Sequence, residues 1–107
     1  MHTRLQTWSG ELVGEEVWEP QSDSFSRFLR GLYVEITQQE KVFLGSIDPY
    51  DDTIFNSRQI PRFLEEWDWL MAKAAPHTPE LREFLAKVRQ MAIRCKEDIL
   101  QLKFIGD

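Results

Sequence analysis

Three carboxylates and a phenol crowd together at Asp48, Tyr50, Asp51 and Asp52, inside the run LGSIDPYDDTIFN that spans Leu44 to Asn56. Acids so close in sequence can hold a cation, move a proton, or meet the bases of a protein partner. The spacing separates these readings. A calcium loop alternates its oxygen ligands around a central glycine, and this run does neither. Asp48 followed by Pro49, with closure near Asp51, instead suits a type I turn in which the Asp48 carboxylate accepts from backbone N–H groups two residues on. The run is therefore expected to be a structural turn first and a cation or partner site second. Its three acids repel one another. Compensation is expected from backbone N–H groups, from a nearby cation such as Arg58, or from a partner's base.

Other catalytic chemistry finds little support. Nucleophilic catalysis needs a Ser, Thr or Cys beside a base, and the two imidazoles are His2, where the chain is expected to fray, and His77, in a proline-flanked loop. Cys95 falls on the apolar stripe of a predicted helix, which suits a small buried hydrophobe better than a reactive thiolate. No glycine-rich phosphate loop, zinc spacing or nucleophile elbow is present. An enzyme resting on Asp48, Asp51 and Asp52 alone is the weakest reading, and no cofactor or metal is expected. One further residue is out of pattern. At about 100° per residue, Trp69 falls opposite Ile60 on its helix, among Arg62, Glu65 and Lys73. A tryptophan among charges either lies along their aliphatic stems or anchors an interface.

Composition bounds the class. A chain of 107 residues with 42% hydrophobic residues, seven Phe and four Trp is expected to fold as one domain, 1–107. One cysteine forms no internal disulfide, and with no signal-peptide pattern at Met1 and no apolar run of membrane-spanning length, a cytoplasmic protein is expected. The net charge of −5 is uneven: residues 1–60 hold five Lys/Arg against ten Asp/Glu, and residues 61–107 hold eight of each. An acidic half opposes nucleic acid, whose phosphates need a basic face, and favours a basic protein.

The elements that must position the acids follow from periodicity. Leu5 to Trp8 and Leu12 to Trp18 flank a Ser9-Gly10-Glu11 turn and predict a hairpin, with Gly14 marking a bulge that shifts the register. After Pro20, Ser22 or Asp23 is expected to cap a helix carrying Phe25, Phe28, Leu29, Leu32 and Ile36, although Tyr33 to Thr37 also suit a strand. Ile60, Phe63, Leu64, Trp67, Leu70, Met71 and Ala74 make one apolar stripe. Asn56 and Gln59 have capping-box spacing, and a turn through 56–59 with helix from about Ile60 keeps Pro61 in the first turn. Thr78 and Pro79 start the next helix, striped by Leu81, Phe84, Leu85, Val88, Ala92 and Cys95. Leu100 to Ile105 alternate as a half-buried strand. The expected fold is α+β, a small mostly antiparallel sheet of the hairpin and the C-terminal strand packed on about three helices.

The motif and the closing LKFIGD resemble a group of small uncharacterised bacterial proteins that share L-G-x-I-D-P-Y-x-D-T-x-F-N. The resemblance covers Leu44 to about Leu70 and the C-terminal six residues. It implies a bacterial, cytoplasmic protein and carries no activity or site residues. Similar sequences hold glycine at the position of Asp51, which weighs against a metal role there. The functional expectation is a small acidic protein-interaction module, an immunity- or inhibitor-like binder of a basic protein, with Asp48, Tyr50, Asp51, Asp52 and Trp69 as partner-binding candidates. The alternative is a homo-oligomeric subunit that uses exposed aromatics. Neither nucleic acid nor membrane is expected as a partner.

Overall fold

The first and last strands are neighbours. In the computed structural model, which describes residues 1–21 and 23–106, β1 (His2–Gln6) lies between β2 (Leu12–Trp18) and β4 (Gln101–Ile105). The short β3 (Thr53–Asn56) closes the other edge. The order is β2-β1-β4-β3 and every pair is antiparallel. The helices are α1 (Ser24–Gly31), α2 (Tyr33–Gln38), α3 (Val42–Ser46), α4 (Ile60–Lys73) and α5 (Pro79–Asp98). The fold is α+β as expected. Burial alternates along β4 and along β1 as far as Leu5: Thr3, Leu5, Leu102 and Phe104 are closed off, while Arg4, Lys103 and Ile105 are half-exposed, and Gln6 breaks the pattern, buried where its amide donates to Gln101 Oε1 (2.9 Å). Helices thus cover one face of the sheet and leave the other open.

Several local expectations change. The first strand is His2–Gln6 rather than Leu5–Trp8, because Thr7 is drawn into the turn: its N–H reaches the Glu11 carbonyl (2.9 Å) and its hydroxyl accepts from the Glu11 N–H (3.1 Å). His2 is correspondingly held in the strand, stacked on Trp18 with ring centroids 4.0 Å apart. The bulge at Gly14 is present, with φ +72°. Between Leu5↔Val13 and Thr3↔Val17 the register slips by two residues, so the faces are preserved. Val13 and Val17 pack on the core and Leu12 and Trp18 point out.

The first predicted helix is two, broken at Leu32, and Tyr33 to Thr37 are helical rather than extended. Asp23 does not cap α1 with its side chain but sits in the left-handed region, while Ser22 lies outside the described residues. Glu19 serves instead, accepting from the Phe25 N–H (3.2 Å), with its other oxygen 2.7 Å from the Met1 ammonium.

The expected start of α4 holds. Asn56 N–H donates to Gln59 Oε1 (2.8 Å) and Gln59 N–H to Asn56 Oδ1 (3.2 Å), a reciprocal box ahead of Pro61. Thr78 Oγ1 accepts from the Leu81 N–H at the start of α5 (3.3 Å). That helix ends at Ile99, in the left-handed region at φ 54°, where the Leu100 N–H returns to the Cys95 carbonyl (3.0 Å). Phe25, Phe55, Phe63, Trp67 and Phe104 meet between sheet and helices with centroids 5.0 to 6.3 Å apart. The buried Trp67 indole donates to the Leu85 carbonyl (2.9 Å). Among the described residues no helix is long and apolar enough to cross a membrane.

Candidate binding cleft and acidic loop

The motif divides into a wall, a loop and a strand. Its wall begins with α3, a single turn too short to be stable alone, which α4 holds in place. Glu66 is buried and its Oε1 accepts from the N–H groups of Phe43 (3.0 Å) and Leu44 (3.1 Å). These are orphan donors at the start of a helix, so one carboxylate fixes the segment to α4. Arg62 Nε binds Glu66 Oε2 (3.2 Å), a second Arg62 nitrogen reaches the Glu40 carbonyl (3.3 Å), and the guanidinium lies over Phe43.

The loop that follows is a turn, as its residue types predict. The Tyr50 N–H donates to Asp48 Oδ1 (2.8 Å), the Asp52 N–H to Asp51 Oδ1 (2.8 Å), and the Asp51 N–H approaches the Asp48 carbonyl (3.4 Å). Thr53 ties the two sides, donating to the Ser46 carbonyl (3.2 Å) and facing the Asp48 N–H (3.4 Å). Compensation for Asp52 comes from Lys103 on β4 (3.4 Å) and not from Arg58. Gly106 completes the support: a Cβ there would lie 2.6 Å from the Asp51 carbonyl oxygen and 2.8 Å from the Tyr50 carbonyl carbon. The C-terminal LKFIGD thus contacts the motif directly, through Lys103 and Gly106. The motif's TIFN forms β3 on the β4 edge, where Thr53 pairs with Phe104 and Phe55 with Leu102.

Beside the loop lies a half-open cleft of about 290 Å³. One wall is Leu44, Gly45, Ser46, Ile47, Asp48 and Pro49, and the other comes from α1 and α2 through Leu29, Arg30, Tyr33 and Ile36. A shallower groove continues past Tyr33, Ile36 and Gly45 to Glu40, Lys41 and Val42. Exposed apolar side chains line both: Tyr33, shared by cleft and groove, is 63% exposed, and Val42 in the groove is exposed as well, while Tyr50, next to Pro49 in the loop, is 77% exposed. Among the described residues neither Asp48 nor Asp51 forms an ion pair. Those residues include no grouping of three His, Cys, Asp or Glu fit to hold a metal ion.

The structure therefore brings four of the sequence candidates, Asp48, Tyr50, Asp51 and Asp52, into one loop and places the fifth elsewhere. Trp69 is half-buried against the core with the Lys41 and Lys73 ammonium groups 5.6 and 5.5 Å from its ring centre. Cys95 is fully buried, its thiol pushed up to about 11 by desolvation, and it donates to the Leu100 carbonyl (3.2 Å). His77 packs edge-on against Phe28 with centroids 4.9 Å apart. Arg30, Tyr33 and Glu66 went unread as parts of this region. The signal for Glu66 was present, since it lies one turn from Arg62 at the margin of the α4 stripe. Comparison with protein-family models, with curated proteins and with solved structures gives no match for this chain.

Proposed function

We propose that the chain is an acidic protein-interaction module, an immunity- or inhibitor-like binder of a basic protein, acting in a bacterial cytoplasm. Its contact surface is the Asp48–Asp52 loop together with the adjoining cleft. The observation that carries this reading is Tyr50, 77% exposed on a loop held by Asp48, Thr53, Lys103 and Gly106. A fixed loop loses little entropy on docking, and tyrosine supplies large contact area at low rotamer cost. Asp48 and Asp51 beside it favour a basic partner, and the same field disfavours nucleic acid. A free buried thiol suits a reducing compartment. The bacterial origin rests on the motif resemblance. The test is affinity capture at low and high salt with the parent and with Tyr50→Ala/Asp51→Asn. A basic protein held by the parent at low salt and lost by the variant supports the reading, and equal capture by both contradicts it.

A second reading has its own motive. The open sheet face carries Trp18, 60% exposed, with Leu12 and Ile54, and among the described residues no helix covers it. Self-association through that face would bury them. A salt-insensitive dimer that becomes monomeric in Trp18→Ser favours this reading over the first, and a monomer at both salt concentrations removes it.

A further inference from the structure

We infer that the cleft between α1–α2 and the Leu44–Pro49 wall receives one large apolar side chain of the protein partner, presented beside a lysine or arginine that meets Asp48. This rests on the interaction reading above and deepens it. The volume, about 290 Å³, is at the lower limit for small-molecule sites, and the surface is mostly apolar, with Leu29, Ile36, Leu44 and Ile47 in the lining and Arg30 and Asp48 as its charged members. A metabolite needs several placed polar groups to fix its orientation, whereas an interface anchor needs a dry pocket and a surrounding rim. Tyr33, in the lining, provides exposed surface for that rim, and the exposed Tyr50 follows Pro49 directly in the loop. Charge selects the neighbour of the anchor. Asp48 stands on the loop side with one oxygen bound to the Tyr50 N–H and no ion pair among the described residues, while Arg30 stands on the opposite side. A base next to the anchor is attracted to the loop side and repelled from the other, which orients the partner's segment. Gly45 lies in the lining, and a Cβ there would meet Ile36 Cγ2 at the ordinary distance of 3.7 Å, so a methyl fits at this position and only a larger side chain would fill the cleft.

The experiment is a titration of the methyl resonances of Leu29, Ile36, Leu44 and Ile47 with three capped pentapeptides at low salt. One has four lysines around a leucine, one has four lysines around a glycine, and one has four glutamates around a leucine. The lysine-leucine peptide is expected to move these methyls most. Its affinity should fall about twofold to fivefold in Asp48→Asn, which keeps the turn acceptor and removes the charge. It should disappear in Gly45→Phe, which plugs the mouth, but not in Gly45→Ala. Equal shifts from the glycine-centred peptide overturn the anchor, and equal or tighter binding of the glutamate peptide overturns the charge assignment; both comparisons use the parent protein and depend on no variant folding. A captured partner that is lost in Tyr50→Ala/Asp51→Asn but retained by a folded Gly45→Phe overturns the anchor and leaves the module standing.

Discussion

Removing the Glu66 carboxylate should release the motif wall from α4 before it disturbs the rest of the core. In Glu66→Ala the N–H groups of Phe43 and Leu44 lose their shared acceptor, and Arg62 loses its partner. Hydrogen bonds to a charged group contribute about 1.5–3 kcal/mol each, and a buried donor left unmade costs about 1–3 kcal/mol. The Leu44 N–H is buried and that of Phe43 only partly so, which allows water to offset some of the second loss. The two together give about 3 kcal/mol for alanine. Glu66→Gln retains a carbonyl oxygen for the same two donors and should cost about 1 kcal/mol, the difference between a charged and a neutral acceptor. For a domain of this size each kcal/mol lowers Tm by about 4–8 °C, so alanine should melt roughly 12–24 °C below the parent and glutamine roughly 4–8 °C. Thermal melting followed by circular dichroism reads both values. Amide exchange should show Phe43 and Leu44 losing protection first. If alanine melts within a few degrees of the parent, or glutamine melts below alanine, Glu66 does not hold the wall.

Three further outcomes follow from the core and the helix ends. Phe104 is fully buried against Phe25, Phe55, Phe63 and Trp67 on the central β4, so Phe104→Ala should cost about 3–5 kcal/mol in urea unfolding. Ile99 is an exposed β-branched residue at φ 54°. Ile99→Gly should relieve about 1–2 kcal/mol of backbone strain against about 0.4–1 kcal/mol of added unfolded-state entropy, raising Tm by a few degrees; a fall in Tm would contradict this. Cys95 should resist iodoacetamide at pH 8 until the protein unfolds. Its thiol is raised from 9.0 to about 11 by burial. The folded state therefore favours the protonated form, and that contribution is intact below about pH 9 and is lost as pH rises through about 11.

What was legible in the sequence was whatever local chemistry decides. The α4 stripe, the Asn56–Gln59 box, the Thr78–Pro79 start and the Asp48 turn each depend on residues a few positions apart. What was missed depends on distant partners. Thr53–Asn56 is a strand because β4 offers an edge, and four residues beside an acidic turn carry too little pattern to announce it. Lys103 rather than Arg58 meets Asp52 because pairing in the sheet brings β4 alongside the loop. The break at Leu32 reflects competition between one long helix and the docking of α2 beside α3, which local propensity does not resolve. Trp69, out of pattern on a helical wheel, is accounted for once Lys41 folds back across it from the α2–α3 connection.

Position 50 offers the most direct test of the interaction surface. A photo-crosslinking phenylalanine analogue placed there in living cells samples whatever rests on the loop, and the same probe at the exposed Glu97, at the opposite end of β4 from the loop, serves as control. The account predicts a single major adduct from position 50 with a basic protein, weaker at high salt in lysate and missing from position 97. Equal labelling from both positions, or an adduct from position 50 only with a second copy of the chain, would contradict it.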